Sequence, residues 1–476
     1  MINYNRGPER VVKITKDSTL ILEELAIQYP TLVIISEAAK LQRKEIGDGT
    51  ASFAILVSAL LEKANELMSA GLHPNTILQG YFQATRKILD NIDALSGAGH
   101  NVIDKVLETV DCGRGLLTSS LKSKIVRASQ LATKNGKFDK DKVRIVKKPG
   151  GSILDSEFVE GLVVRKEKVH PNMPDLLENP AIAIISSRLG SNRLETKMKS
   201  DGPFHLNFNI KDPRKLGAFR STEKDLKMQS LARIKSVGAN VLVSEQPLDD
   251  SVRSEMVDLG IFGLETVSKE DTEAIAEATE ARVIGDIADI SESDIGHADR
   301  LETSKIDLEK IVILRGCKAA TFVLKGTLPQ SLDEAEATIK ASLTVLKSVQ
   351  ENSKMVPGGG AIEMSFFEQL NDFAKELAGK EQLAIKGFAD ALLELPKCLA
   401  ENNGLDVVNT IAQLKKLHSG NSGSYGIGLE GCVDSVCLEP VVVKKAMIKR
   451  AYEVVSMLLK IDEQVMSREI PKFHKQ

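Results

Sequence analysis

The sequence predicts a multi-domain α+β protein, with a helical body built from both chain ends and an α/β domain inserted centrally. Three observations carry this. Apolar residues recur at helical spacing from Asp48 to about Ser96. In the centre, short β-branched runs alternate with charged helical stretches. From about Leu332 the helical period returns and persists to the end. A chain of 476 residues is long enough for roughly three domains.

In chain order, "RVVKITKDSTLILEEL" reads as a short strand, a polar turn and a helix. Ile55, Leu56, Ala59 and Leu60 make one helical face, and "GLHPNTILQGYFQATRKIL" gives a turn and a Pro-started helix. The central strands are "AIAIISS" (181–187), "NVLVSE" (240–245), "FGLETV" (262–267) and "RVIGD" (282–286). Between them lie the helical stretches "STEKDLKMQSLARIKS" and "KEDTEAIAEATE". "IVILRG" and "TFVLKG" read as two strands joined by a turn. "DEAEATIKASLTVLKSVQENS" and "VVVKKAMIKRAYEVVSMLLKIDEQV" are long amphipathic helices.

Composition excludes several function classes. A net charge of −3 argues against an electrostatic nucleic-acid binder. No Trp and only 4% aromatic residues leave little for base stacking. The first residues hold no apolar run, so no signal peptide is expected, and no stretch is apolar enough to span a bilayer. The five cysteines, 112, 317, 398, 432 and 437, are odd in number and form no CxxC, which fits reduced thiols in a cytosol. No HExxH points to zinc, and no GxxxxGK[ST] points to a P-loop phosphotransferase.

Two glycine clusters carry chemistry. Gly47-Asp48-Gly49-Thr50-Ala51-Ser52 stands where a helix begins. Glycine lets backbone approach a ligand, and unpaired helix-start N–H groups favour an anion. Asp48 repels bare phosphate, so it suggests a bridging Mg²⁺. The structural alternative is a turn with Thr50 or Ser52 as N-cap. "SKMVPGGGAIEMSFFEQL" (353–370) sets three more glycines before another helix. Its alternative is a hinge or tight helix packing. Two such starts in one helical body favour a nucleotide pocket.

At this point the chain resembles a group II chaperonin, the family of the archaeal thermosome and the eukaryotic cytosolic chaperonin. The resemblance rests on "IGDGTAS", "GLHPNTILQGY", "VKKPGGSILDSEFVEGLVV", "HPNMP", "GANVLVSEQPLDD", "ISESDIGHA", "GCKAATFVLKG", "VPGGGAIE", "GFADALLELPKCLAENNGLD", "YGIGLEG" and "LEPVVVKKAMIKRAYEVVSMLLKIDE". These strings are collinear from about Arg10 to Glu463. The resemblance implies an equatorial ATP-binding domain (1–112 and 359–476), a small intermediate hinge domain (113–178 and 319–358) and an α/β apical domain (179–318). It implies cytoplasmic double rings, homo- or hetero-oligomeric with paralogous subunits, enclosing unfolded or partly folded proteins. The cofactors it implies are ATP and Mg²⁺; neither nucleic acid nor membrane is a partner.

Position by position, Asp48 matches the family's Mg²⁺ ligand. Gly47, Gly49, Thr50, Ala51 and Ser52 fall on its phosphate loop, Gly358 and Gly359 beside the nucleotide, and Gly426 and Glu439 near ribose and adenine. Asp17 matches an acidic residue near the γ-phosphate and attacking water. Lys16 beside it could meet phosphate, and Lys124 lies near a γ-phosphate-sensing segment. Leu216, Phe219, Leu226 and Met228, in a charged stretch matching the helical protrusion, are candidates for client contact; the alternative is the buried face of an amphipathic helix.

Four departures stand against the family pattern. Ala341 occupies the place of the aspartate that activates water, and a methyl group accepts no proton. Asp333, Glu334 and Glu336 are the nearby carboxylates that could substitute. "GDGTA" replaces "GDGTT", so Ala51 removes a hydroxyl. "TKDS" replaces "TNDG", putting Ser18 at a glycine position. Fourteen residues precede Thr15, with "RGPER" a remnant of the family's "LGPKG" loop, which implies a late start or altered ring contacts. The expectation is a chaperonin subunit that binds ATP-Mg and hydrolyses it slowly or not at all. The alternative is a non-catalytic assembly, regulatory or holding subunit without its own ATP cycle.

Overall fold

The computed structural model describes residues 2–6, 9–13, 15, 18–25, 29–98, 106–107, 119–134, 137–138, 142–187, 189, 227–306, 309–419, 423–434 and 437–463. The chain divides into two compact units. One comprises Met1–Ile125 and Asp333–Gln476, the other Val126–Leu332.

The first unit is helical. Its core joins the helices Thr50–Ser69, Pro74–Asn91, Ala361–Glu376, Glu381–Leu392 and Val441–Leu458. Pro74 opens its helix with φ already set, and the His73 ring accepts the Asn75 N–H at 3.2 Å. Asp406 caps the helix Val407–His418 through the N–H groups of Val408 and Asn409. Phe53, Leu56, Leu60, Ile77, Tyr81 and Phe388 are fully buried. Each apolar side chain so buried contributes about 1.5–3 kcal/mol. Tyr81 meets Phe388 edge-on, 5.4 Å between ring centroids, and gives its hydroxyl proton to the Leu60 carbonyl.

Small strands interrupt the helical C-terminal third. Lys354–Pro357 lies between Leu438–Pro440 and Gly97–Ala98, antiparallel to both. Tyr425–Gly428 and Gly431–Asp434 form a hairpin. The helical period that marks this region does not foresee them, because two to four residues carry no readable period.

The second unit is α/β. Ala181–Ile185, Val241–Ser244, Phe262–Leu264 and Val283–Ile284 form a parallel sheet, as their β-branched runs predict. Gly296–His297 adds to it antiparallel. The helices Asp250–Asp258 and Lys269–Thr279 pack Val252, Met256 and Ile275 into its core.

"IVILRG" and "TFVLKG" are strands but not partners. Glu309–Arg315 pairs with Arg300–Ile306 and Gly161–Val164. Ala320–Gly326 pairs with Val143–Pro149 and Glu157–Val159 in another sheet. The connection at 316–319 therefore carries the chain between sheets. Its Gly316 takes φ +73, where L side chains are strained.

Candidate functional site

Two glycine-lined corners of the helical unit hold the candidate residues. The first joins the helix Pro30–Glu45 to Thr50–Ser69. Gly47 has φ +90 and Gly49 φ +77, so the chain reverses through two left-handed residues. Gly49, not Thr50 or Ser52, is the N-cap, and no side chain caps the helix there. Its first N–H groups and positive dipole end thus carry no side-chain cap.

Close packing fixes this turn. A Cβ on Gly47 would stand 2.8 Å from the Ala341 carbonyl oxygen and 2.9 Å from Thr344 Cβ. A Cβ on Gly49 would stand 2.9 Å from Val443 Cγ1. The Asp48 Oδ1 accepts the Gly49 N–H at 2.7 Å, and the fully buried Gln42 gives an amide proton to the Asp48 carbonyl at 3.0 Å. Arg450 donates in turn to Gln42 Oε1 at 2.6 Å and pairs with Glu45. Thr50 is buried with its hydroxyl 2.7 Å from that of Ser18. Ser18 therefore ties the helix Ser18–Glu24 to this turn. Ala51 is exposed and Ser52 half-buried.

Ala341 lies on the helix Pro329–Glu351. It packs with Val106, Val345, Val349 and Met355. Glu334 shares its face, seven residues away, about 10 Å along the axis. Glu336 is held by Lys340 at 2.6 Å, and Asp333 is exposed.

The second corner is a cradle of bare backbone. The Gly358 N–H binds the Cys437 carbonyl at 2.9 Å, and the Ile427 N–H binds the Gly359 carbonyl at 2.8 Å. A Cβ on Gly426 would stand 2.6 Å from the Gly358 carbonyl oxygen. One on Gly358 would strike Cys437 Sγ and stand 2.6 Å from Glu439 Oε1. Gly360, φ +82, opens the helix Ala361–Glu376. Burial pushes the Cys437 thiol up to about 11, with the Glu439 carboxylate adding to the rise. Cys437 is therefore not a poised nucleophile.

The structure brings Gly47, Asp48, Gly49 and Thr50 together with position 341, and Gly358, Gly359, Gly426 and Glu439 together with one another. The last helix touches both corners, through Val443 at the first and Lys444 at the second. Lys16, Asp17, Leu216, Phe219 and Leu226 lie outside the described residues. Met228 is half-buried on the helical stretch 227–236, and Lys124 is half-buried on Ser119–Leu131.

Sequence reasoning missed Gln42, Arg450, Lys444 and Glu363. Only Lys444 carried a signal: it sits on the same face as the apolar Met447, Ile448 and Ala451. Two glycine-rich turns, each leading into a helix whose glycine N-cap makes no side-chain bond, fit a phosphate-bearing ligand with a cation at Asp48.

A model of the TCP-1/cpn60 chaperonin family matches residues 6–469. Thermosome subunits of Methanopyrus kandleri and Pyrococcus horikoshii are each 34% identical, over 97% of this chain and 86% of theirs. Thermosome subunit alpha of Archaeoglobus fulgidus is 32% identical over the same shares. The open-state monomer of a group II chaperonin from Methanococcoides burtonii superposes with a TM-score of 0.65 at 29% identity, over 87% of this chain and 100% of that one. With this collinear match and this pair of glycine corners, the chain belongs to the TCP-1/cpn60 chaperonin family.

Proposed function

We propose that this chain is a ring subunit that binds ATP-Mg and hydrolyses it slowly. The observation that carries this is Ala341: its backbone abuts the Gly47 turn while its methyl group packs among apolar side chains. No base is supplied from that position to a water at the terminal phosphate. Asp48 would hold Mg²⁺, whose charge would offset the phosphates. The helix start at Gly49 would receive phosphate oxygens, and Gly358, Gly426 and Glu439 would receive the nucleoside. Asp17 and Lys16 are proposed at the γ-phosphate; the Ser18–Thr50 bond, one residue away, supports that placement.

The proposed domains keep the limits 1–112 and 359–476, 113–178 and 319–358, and 179–318. The passages between the two compact units at 125/126 and 332/333 support a central insertion. Leu216, Phe219, Leu226 and Met228 are proposed to contact unfolded clients. The proposed compartment is the cytoplasm, supported by free thiols at Cys317, Cys398, Cys432 and Cys437. Among the described residues no helix is long and apolar enough to cross a membrane.

Calorimetry with Mg²⁺ and ATP, paired with a turnover assay, tests the reading. Binding with little turnover is expected. No binding at all favours a holding subunit without an ATP cycle, and turnover like that of an active thermosome overturns the idle-motor reading. Electron microscopy, alone and with paralogous subunits, tests ring formation.

A further inference from the structure

Beneath the Gly47–Gly49 turn runs a relay of side chains that the proposed function leaves unused. It starts on the last helix, Val441–Leu458. The Arg450 side chain, 13% exposed, donates to Gln42 Oε1 at 2.6 Å and pairs with Glu45 through its other amino group. The fully buried Gln42 donates in turn from Nε2 to the Asp48 carbonyl at 3.0 Å. The Asp48 carboxylate accepts the Gly49 N–H at 2.7 Å.

Each link has one allowed direction. An arginine only donates, so the amide must turn its oxygen to Arg450 and its NH2 group to Asp48. A Cβ on Gly49 would stand 3.4 Å from that Nε2, so the amide lies directly against the turn. Asp48 has a left-handed glycine on each side, Gly47 at φ +90 and Gly49 at φ +77. Glycine takes positive and negative φ about equally, so the glycines do not themselves fix which way the peptides around Asp48 point. The amide does, through the Asp48 carbonyl, and the carboxylate of the same residue goes with it. Stability alone does not call for a mostly buried guanidinium, since apolar side chains of similar volume usually serve as well.

We propose that Gln42 and Arg450 are positioning residues for the cation: the amide, oriented by the guanidinium, holds the Asp48 carbonyl and thereby fixes where the Asp48 carboxylate meets a nucleotide-bound Mg²⁺. This rests on reading the Gly47–Gly49 corner as part of a nucleotide site with Asp48 as its cation ligand. Gln42→Glu separates the role from packing. It is nearly isosteric, and beside Arg450 the new carboxylate stays ionised. The bond to Arg450 therefore persists while the donor to Asp48 is lost. Gln42→Met/Arg450→Met removes the whole relay with side chains of similar length, and it answers the same question if Gln42→Glu does not fold.

The test measures Kd by calorimetry for ADP with Mg²⁺ and for ADP with EDTA, with thermal unfolding as the check on folding. Wild type should bind ADP more tightly with Mg²⁺. In the folded variants Mg·ADP should weaken by about tenfold or more, the usual worth of a group that orients a metal ligand, while metal-free ADP should change by less than about threefold. Equal weakening in both arms marks a merely structural role and overturns the proposal. So does a folded variant whose Mg·ADP affinity matches wild type; both results leave the nucleotide site standing. A wild type that binds ADP no better with Mg²⁺, or not at all, removes the cation at Asp48 and this proposal together.

Discussion

At the scale of single residues, two alanines test the proposed reading of the site. The Ala341 carbonyl lies against the Gly47 turn, and Ala341→Asp would supply the carboxylate that the proposed reading finds missing there. Turnover should rise by about 10²–10⁴-fold, the usual worth of a general base. Unchanged turnover with intact ATP binding would place the block elsewhere. Ala51 is exposed at the uncapped helix start, so Ala51→Thr adds a hydroxyl without displacing core. ATP affinity should tighten by about 0.5–1.5 kcal/mol, read by calorimetry. The Gly47–Gly49 turn beside Ala341 and Ala51 was legible in the sequence because glycines around an aspartate mark it within a few residues. Gln42 and Arg450 were not, because their role depends on a hydrogen-bond relay between the 30–45 and 441–458 helices.

At the scale of elements, helix packing governs stability. Gly80 lets the helix Glu381–Leu392 approach Pro74–Asn91, since a Cβ there would stand 2.5 Å from Ala384 Cβ. Tyr81, on the next residue, is fully buried, and burial raises its phenol above the ordinary 10.0, with the Glu66 charge adding to the rise. The folded form keeps that proton where the unfolded form loses it. Stability is therefore full below about pH 10 and declines as pH rises beyond it. Tyr81→Phe should flatten this alkaline loss in urea titrations, at a cost near neutral pH of about 0.5–1.5 kcal/mol for the lost bond to Leu60. An unchanged alkaline limb would assign the loss to other groups. A helix start such as Pro74 was readable from local chemistry. The three-residue strand Leu438–Pro440 was not, since its pairing with Lys354–Pro357 joins segments far apart in sequence.

At the scale of the whole molecule, two units with separate cores predict two thermal transitions. Calorimetric scanning with Mg·ATP should raise only the transition of the helical unit, by about 2.7 kcal/mol at a hundredfold excess over Kd. A shift confined to the other unit would move the ligand site away from the glycine corners. The sequence by itself determined the helical ends, the α/β centre, the two glycine clusters and the family, because periodicity and local turn chemistry are encoded within short windows. Only the tertiary structure decided that Gly49 is the cap, that the 309–315 and 320–326 strands part into different sheets, and that Lys444 bridges Glu363 and Glu439. Those outcomes depend on which distant segments meet, and a buried charge declares its purpose only when its partners are in place.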